Sequence, residues 1–208
     1  MMQEYLNEVA VRGSITGINK TAKETFINLV CKSADGVKNY PTAIFPKSYN
    51  VDGFKVGDNV SVFGYIQNHH IVRDNGKDGS KTAFIGEEIY RAKRALCDYF
   101  TEEDIPTPET GGYPDDKDEV IFIGDVVQIY TPKGKGKNFS IVKAACKDNV
   151  HKGQCDMVCF ARLGAIAKKL KPGDKVAMVG YLTTENQTVK GQNITIQNIV
   201  CKDICKLG

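Results

Sequence analysis

Apolar and polar residues alternate in short runs along most of this chain. NEVAVRGSI, from Asn7, resembles DEVIFIGDV, from Asp118, and each reads as an apolar strand. Glycines, Gly13 and Gly124, interrupt both runs at the same place. A period of two is the signature of a strand with one face buried. TFINLV follows from Thr25 and NFSIVKAA from Asn138, then TAIF ending at Phe45 and MVCF ending at Phe160. TAFIGEEI from Thr82 and NITIQNIV from Asn193 close the two series. Each half of the chain is therefore about five short strands separated by turn residues. Such spacing predicts a sandwich or a small barrel.

The fourth strands carry the strongest internal echo. KVGDNVSVFGYI, from Lys55, and KPGDKVAMVGYL, from Lys171, share six of twelve residues. Gly57-Asp58 and Gly173-Asp174 are predicted to form the tight turn into this strand, with Val60 and Val176 facing the interior. Gly64 and Gly180 fall where a small barrel has to bend.

One stretch departs from the β period. ARLGAIAKKLKPGD, from Ala161, puts Leu163, Ile166, Ala167 and Leu170 at helical spacing, and Pro172-Gly173 stops the run. The first half has only PKSYNVDGF there, which predicts a turn. Five strands with a helix between the third and fourth is the layout of an OB-fold. The expected architecture is all-β: tandem five-stranded OB-fold barrels at residues 1–100 and 118–208, with the helix in the second barrel. FTEEDIPTPETGGYPDDKDE lies between them, and its prolines, glycines and acids predict a linker over 101–117.

Charge sharpens this division. The 208 residues carry a formal net charge of +3. Residues 120–208 hold 14 Lys and Arg against 6 Asp and Glu, while residues 101–119 hold one lysine and eight acids. The polar start, MMQEYLNEVAVRG, and the lack of a long apolar run predict a cytoplasmic protein. Seven cysteines, an odd number without an export signal, argue against a disulfide framework. Cys155/Cys159 and Cys201/Cys205 are C-x3-C pairs. Four strand steps separate side chains by about 13 Å, too far for one metal ion to bridge. No metal and no cofactor is expected, and the thiols read as small reduced core residues.

In ordered combination these elements resemble the bacterial single-stranded DNA-binding protein family. The carriers are N-x-V-x-x-x-G at the start, the second strand around Phe26, an aromatic at the end of the third strand, the helix, and K-x-G-D-x-V-x-x-x-G-Y. The resemblance covers about nine-tenths of the chain in two copies. It implies the minority form in which one polypeptide holds both barrels, and a homodimer that brings four barrels together. Two departures stand out. Family members stack bases on tryptophan and end in an acidic tail, whereas this chain has no tryptophan and closes with VCKDICKLG.

Binding single strands without sequence preference requires a cationic path and exposed aromatics. The stacking candidates are Phe45 and Phe160, which end the third strands, then Tyr65 and Tyr181 after the strand-four glycines, and Phe26, which depends on register. Alternation along NFSIVKAA places Phe139 in the core. The phosphate-binding candidates are Lys20 and Lys23, Arg73, Lys77 and Lys81, Lys133, Lys135 and Lys137, Lys143 and Arg162. No phosphate-binding loop, nucleophile elbow or zinc-protease motif is present, so no enzyme is expected. The expected function is non-catalytic binding of single-stranded DNA in replication, recombination or repair. An OB-fold accessory module that binds protein first, or a single-stranded RNA binder, are the alternatives.

Overall fold

A computed structural model describes residues 5–32, 37–72, 78–92, 116–132, 138–189 and 192–208. The first half contributes β1 (Leu6–Lys20), β2 (Glu24–Lys32), the two-residue β3 (Lys38–Asn39), β4 (Thr42–Pro46), β5 (Asn59–Val72) and β6 (Asp78–Arg91). The second contributes β7 (Lys117–Tyr130), β8 (Phe139–Cys146), β9 (Gly153–Phe160), helix α1 (Ala161–Ala167), β10 (Lys175–Val189) and β11 (Gln192–Lys206).

Each half closes on itself. β1 pairs with β5, β5 with β6, β6 with β4, β4 with β2 and β2 with β1. β7, β10, β11, β9 and β8 form the same ring. In both rings one contact is parallel, β4–β6 and β9–β11, and the rest are antiparallel. These are the two OB-fold barrels expected from the strand count, and closure leaves neither with a bare sheet edge along its ring.

The repeated motif works the same way in each barrel. Gly57 and Gly173 both sit at φ 92°, a conformation that favours glycine. Their amides donate to Ile15 and Val126 on the first strand of each barrel, at 2.9 and 2.8 Å. The carboxylates of Asp58 and Asp174 accept the amides of Lys55 and Lys171, at 3.1 and 2.9 Å. A bulge follows in each strand, between Phe63 and Gly64 and between Val179 and Gly180. A Cβ on Gly64 would lie 1.9 Å from the carbonyl oxygen of Ile85.

The connection before this motif differs, and so does the core beneath it. Helix α1 closes the second barrel with Ala167 and the following Leu170, both buried. The first barrel has a turn there and uses Val51 and the ring of Tyr49, which packs tilted at 38° on the fully buried Phe45 with centroids 4.9 Å apart. Register equates Gly64 with Gly180 and Gly86 with Cys201, and steps along the parallel pairs equate Phe45 with Cys159. A large ring facing glycine in one barrel is thus exchanged for two cysteines in the other. Such volume-conserving swaps are how cores tolerate divergence. Cys31, Cys146, Cys155, Cys159 and Cys201 are all buried free thiols, and burial pushes the Cys155 thiol well up from its ordinary value.

The barrels join through their first strands. β1 pairs antiparallel with β7 from Leu6↔Ile123 to Arg12↔Lys117, and the equivalent residues Val9 and Val120 meet in the middle. The two barrels are therefore related by a pseudo-two-fold axis through that pair. Asn7 ties the seam together. Its amide exchanges hydrogen bonds with Ile66, donating at 2.8 Å and accepting at 3.0 Å, and also donates to the carbonyl of His151 in the second barrel. Asp118 takes the matching place and accepts the Leu182 amide at 2.9 Å.

Candidate nucleic-acid interface

Directly paired residues on neighbouring strands point to the same side of a sheet. Walking the register around the second barrel links Tyr181 to Val200, Val200 to Val158, Val158 to Ile141 and Ile141 to Tyr130. All lie outside the barrel, because Met157, Val142, Cys159 and Ile199 on the other parity are fully buried. The first barrel's equivalent belt is Tyr65, Ile85, Ile44, Phe26 and Asn19. Sequence-expected Tyr65, Tyr181 and Phe26 therefore stand on the outer surface.

Phe160 joins this surface. It is 49% exposed at the end of β9 and lies opposite Phe139, with ring centroids 5.2 Å apart and planes at 68°. Phe45 does not join it. Its ring is 0% exposed, sealed under Tyr49 and against Gly86, where a Cβ would come within 2.4 Å of the ring. The match of TAIF to MVCF by their final aromatics is one residue out of step. Ile44 corresponds to Val158, so the residue at the place of Phe160 is Pro46, and a one-residue slip exchanges the two faces.

The same parity corrects Phe139. Ser140, Val142, Ala144 and Cys146 turn inward, and Phe139 and Ile141 turn out. Ser140 is tolerated inside because its hydroxyl donates to the Gly164 carbonyl of α1 at 3.3 Å. Tyr130, 54% exposed across from Ile141, was also invisible to the sequence reading. The available signal was the small-residue run Ser140, Ala144, Cys146, which suits a crowded barrel interior better than rings do.

The cations vary in how free they are. Lys23, Lys81 and Arg162 are exposed, the last in the first turn of α1 just after Phe160. Lys20 is ion-paired with Asp52, and Lys143 lies 4.0 Å from Asp156 on the outer side of β8. Arg73, Lys77, Lys133, Lys135 and Lys137 lie outside the described residues.

Contacts between the barrels shape both belts. The Tyr65 ring is stacked at 5.0 Å on His151 of the second barrel, whose Nε2 lies 3.0 Å from Glu87. Burial and the Glu87 charge hold the Tyr65 hydroxyl above its ordinary pKa. Around Phe26 the arm of the second barrel forms a wall. Gln197 accepts the Thr42 amide at 3.0 Å and Thr184 the Tyr40 amide at 3.1 Å. Phe26, Ile44 and Lys81 from one side, and Thr184, Thr195 and Gln197 from the other, enclose a cleft of about 120 Å³.

The fold of two closed barrels matches solved structures. The wild-type single-stranded DNA-binding protein of Thermus aquaticus superposes with a TM-score of 0.62 over 99% of this chain and 95% of that one, at 16% identity. The chain has the fold of a bacterial single-stranded DNA-binding protein. A deletion variant of the Thermus protein superposes with a TM-score of 0.61 and the same identity. The yeast mitochondrial single-stranded DNA-binding protein Rim1 covers 45% of this chain, with a TM-score of 0.34 and 15% identity. No protein-family model and no curated protein matches the sequence. Among the described residues no group of three or more His, Cys, Asp or Glu side chains could hold a metal ion, and no helix is long and apolar enough to cross a membrane.

Proposed function

We propose that the protein binds single-stranded DNA, largely without sequence preference and without catalysis, in replication, recombination or repair. The observation that carries this reading is the outer aromatic surface beside free cations: Phe160 and Tyr181 on the second barrel, with Arg162 next to Phe160, and Phe26 beside Lys81 on the first. Aromatic faces accept any base, and cations track the phosphates whatever the sequence. The fold shared with proteins named for single-stranded DNA binding supports it.

Fluorescence anisotropy with a labelled thymidine 35-mer, a matched duplex and a matched RNA tests the reading. Single-stranded DNA should bind much more tightly than duplex, and more weakly at about 200 mM than at about 50 mM salt. Arg162→Ala should weaken binding and lower the salt slope by about one. Equal affinity for duplex and single strand would defeat the proposal, and a preference for the RNA would transfer it to that ligand.

The protein is further proposed to pair as a homodimer of four barrels. Along the β1–β7 seam, the outer side carries Ala10, Ile121 and Phe63, with Phe63 42% exposed and edge-on to Tyr90 at 6.3 Å. Ala10, Ile121 and Phe63 line a trough of about 660 Å³ whose rim carries Glu8, Glu87, Glu88 and Glu119 with Lys117 and His151, so a second copy would cover an apolar centre within a polar border, and a two-fold interface sets the same patch of each copy against the other. Sedimentation equilibrium should give twice the 22.9 kDa chain mass. A monomer at micromolar concentration would refute the pairing.

A further inference from the structure

The two belts have the same backbone and different chemistry. Register places Phe139 where the first barrel has Glu24, because Phe139↔Phe160 and Glu24↔Pro46 are the corresponding pairs. It places Tyr130 where the first barrel has Asn19, through Tyr130↔Ile141 and Asn19↔Phe26. Three aromatics on the second barrel thus occupy the positions of an asparagine, a glutamate and a proline on the first. We propose that the barrels are unequal, with Tyr130, Phe139 and Phe160 as the principal base-stacking surface and Phe26 as a minor one. This inference rests on the single-strand reading of the function.

Physical asymmetries point the same way. Phe160 is half exposed, and the edge of Phe139 braces its ring, so little side-chain freedom is lost when a base stacks on it. Glu24 is exposed and brings a negative charge to the position where the second barrel presents a ring. A carboxylate there repels the phosphates that accompany a stacked base. Lys20, beside Asn19, is already paired with Asp52. The Phe26 cleft, at about 120 Å³, is far smaller than the roughly 300–1,000 Å³ of a ligand pocket and is walled by the other barrel. Residues 117–208, the second barrel, also carry 15 basic against 8 acidic residues, so the strand's charge is best matched where the rings are.

The test compares three variants in the full chain by anisotropy on the thymidine 35-mer, with circular dichroism confirming that each folds. Phe139→Ala/Phe160→Ala should lose ~10- to 100-fold in affinity, the range of one or two lost stacks. Phe26→Ala should lose less than about 5-fold. The graft Glu24→Phe/Pro46→Phe changes exposed residues and should tighten binding by about 5-fold or more, by giving the first barrel the second's pair. The inference is overturned if Phe26→Ala weakens binding as much as the double variant, or if the double variant binds like the parent. Failure of the underlying reading shows earlier and separately: the unmodified protein would not prefer single strands over duplex, and the inference would fall with it.

Discussion

Phe45→Ala is expected to destabilise the protein by about 3–5 kcal/mol, the range for deleting a buried phenylalanine. The ring is fully buried, packs against the tilted ring of Tyr49 and fills the space left by Gly86. No residue can collapse into that space cheaply. The first barrel has no helix over this end, and the barrel floor and Tyr49 are held by their own strands and turn. Chemical denaturation should read the loss as a lower midpoint at an unchanged slope. At temperatures where the variant remains folded, its affinity for single strands should stay within about three-fold of the parent, far less than the effect of one lost stack. A ten-fold loss of affinity by folded Phe45→Ala would show that the ring reaches the ligand and that β4 turns Phe45 outward.

Asn7→Ala should cost about 2–4 kcal/mol. Asn7 is 1% exposed, and its side chain serves the Ile66 amide, the Ile66 carbonyl and the His151 carbonyl. Removing it strands those groups in a place water reaches poorly, and each unsatisfied buried group costs about 1–3 kcal/mol. His151 belongs to the other barrel and stacks on Tyr65, so the loss also loosens the joint between the barrels. Thermal melting should show a lower midpoint, and amide exchange at the β1–β7 seam should accelerate. Asn7→Asp should also be destabilising although the second barrel has Asp118 at the matching position, because a carboxylate cannot donate to the Ile66 carbonyl. A change below about 1 kcal/mol in Asn7→Ala would mean that water or a neighbour takes over those bonds.

Much of this molecule was legible in local chemistry. Glycine at a positive φ, an aspartate accepting the amide three residues back, and a valine turned inward are requirements of a few adjacent residues, so K-x-G-D-x-V announces the turn into strand four in both halves. The helix showed itself because Leu163, Ile166, Ala167 and Leu170 follow a period no strand has, and the turn over 46–54 because its glycine and proline break both periods. Two five-stranded barrels followed from counting such elements.

The outer face of each barrel was only partly legible, for one reason. A strand with period two has two faces, and the alternation says which residues share a face but not which face is inside. In FSIVKAAC, from Phe139, each parity mixes apolar residues with one polar residue, Lys143 on one and Ser140 on the other, and Ser140 is accommodated within by a hydrogen bond to Gly164, a residue 24 positions away. In TAIF and MVCF the shared terminal phenylalanine invited a match that the parallel pairing with β6 and β11 displaces by one residue. Phe45 and Phe160 thereby trade an apparent equivalence for opposite roles. The sequence by itself determined the strands, the turns, the helix and the doubling of the barrel, because these depend on neighbours in the chain. The tertiary structure alone decided the pairing of β1 with β7, the crossing contacts at His151 and Gln197, and which aromatics face out. Those depend on register between distant strands, where a shift of a single residue exchanges core for surface.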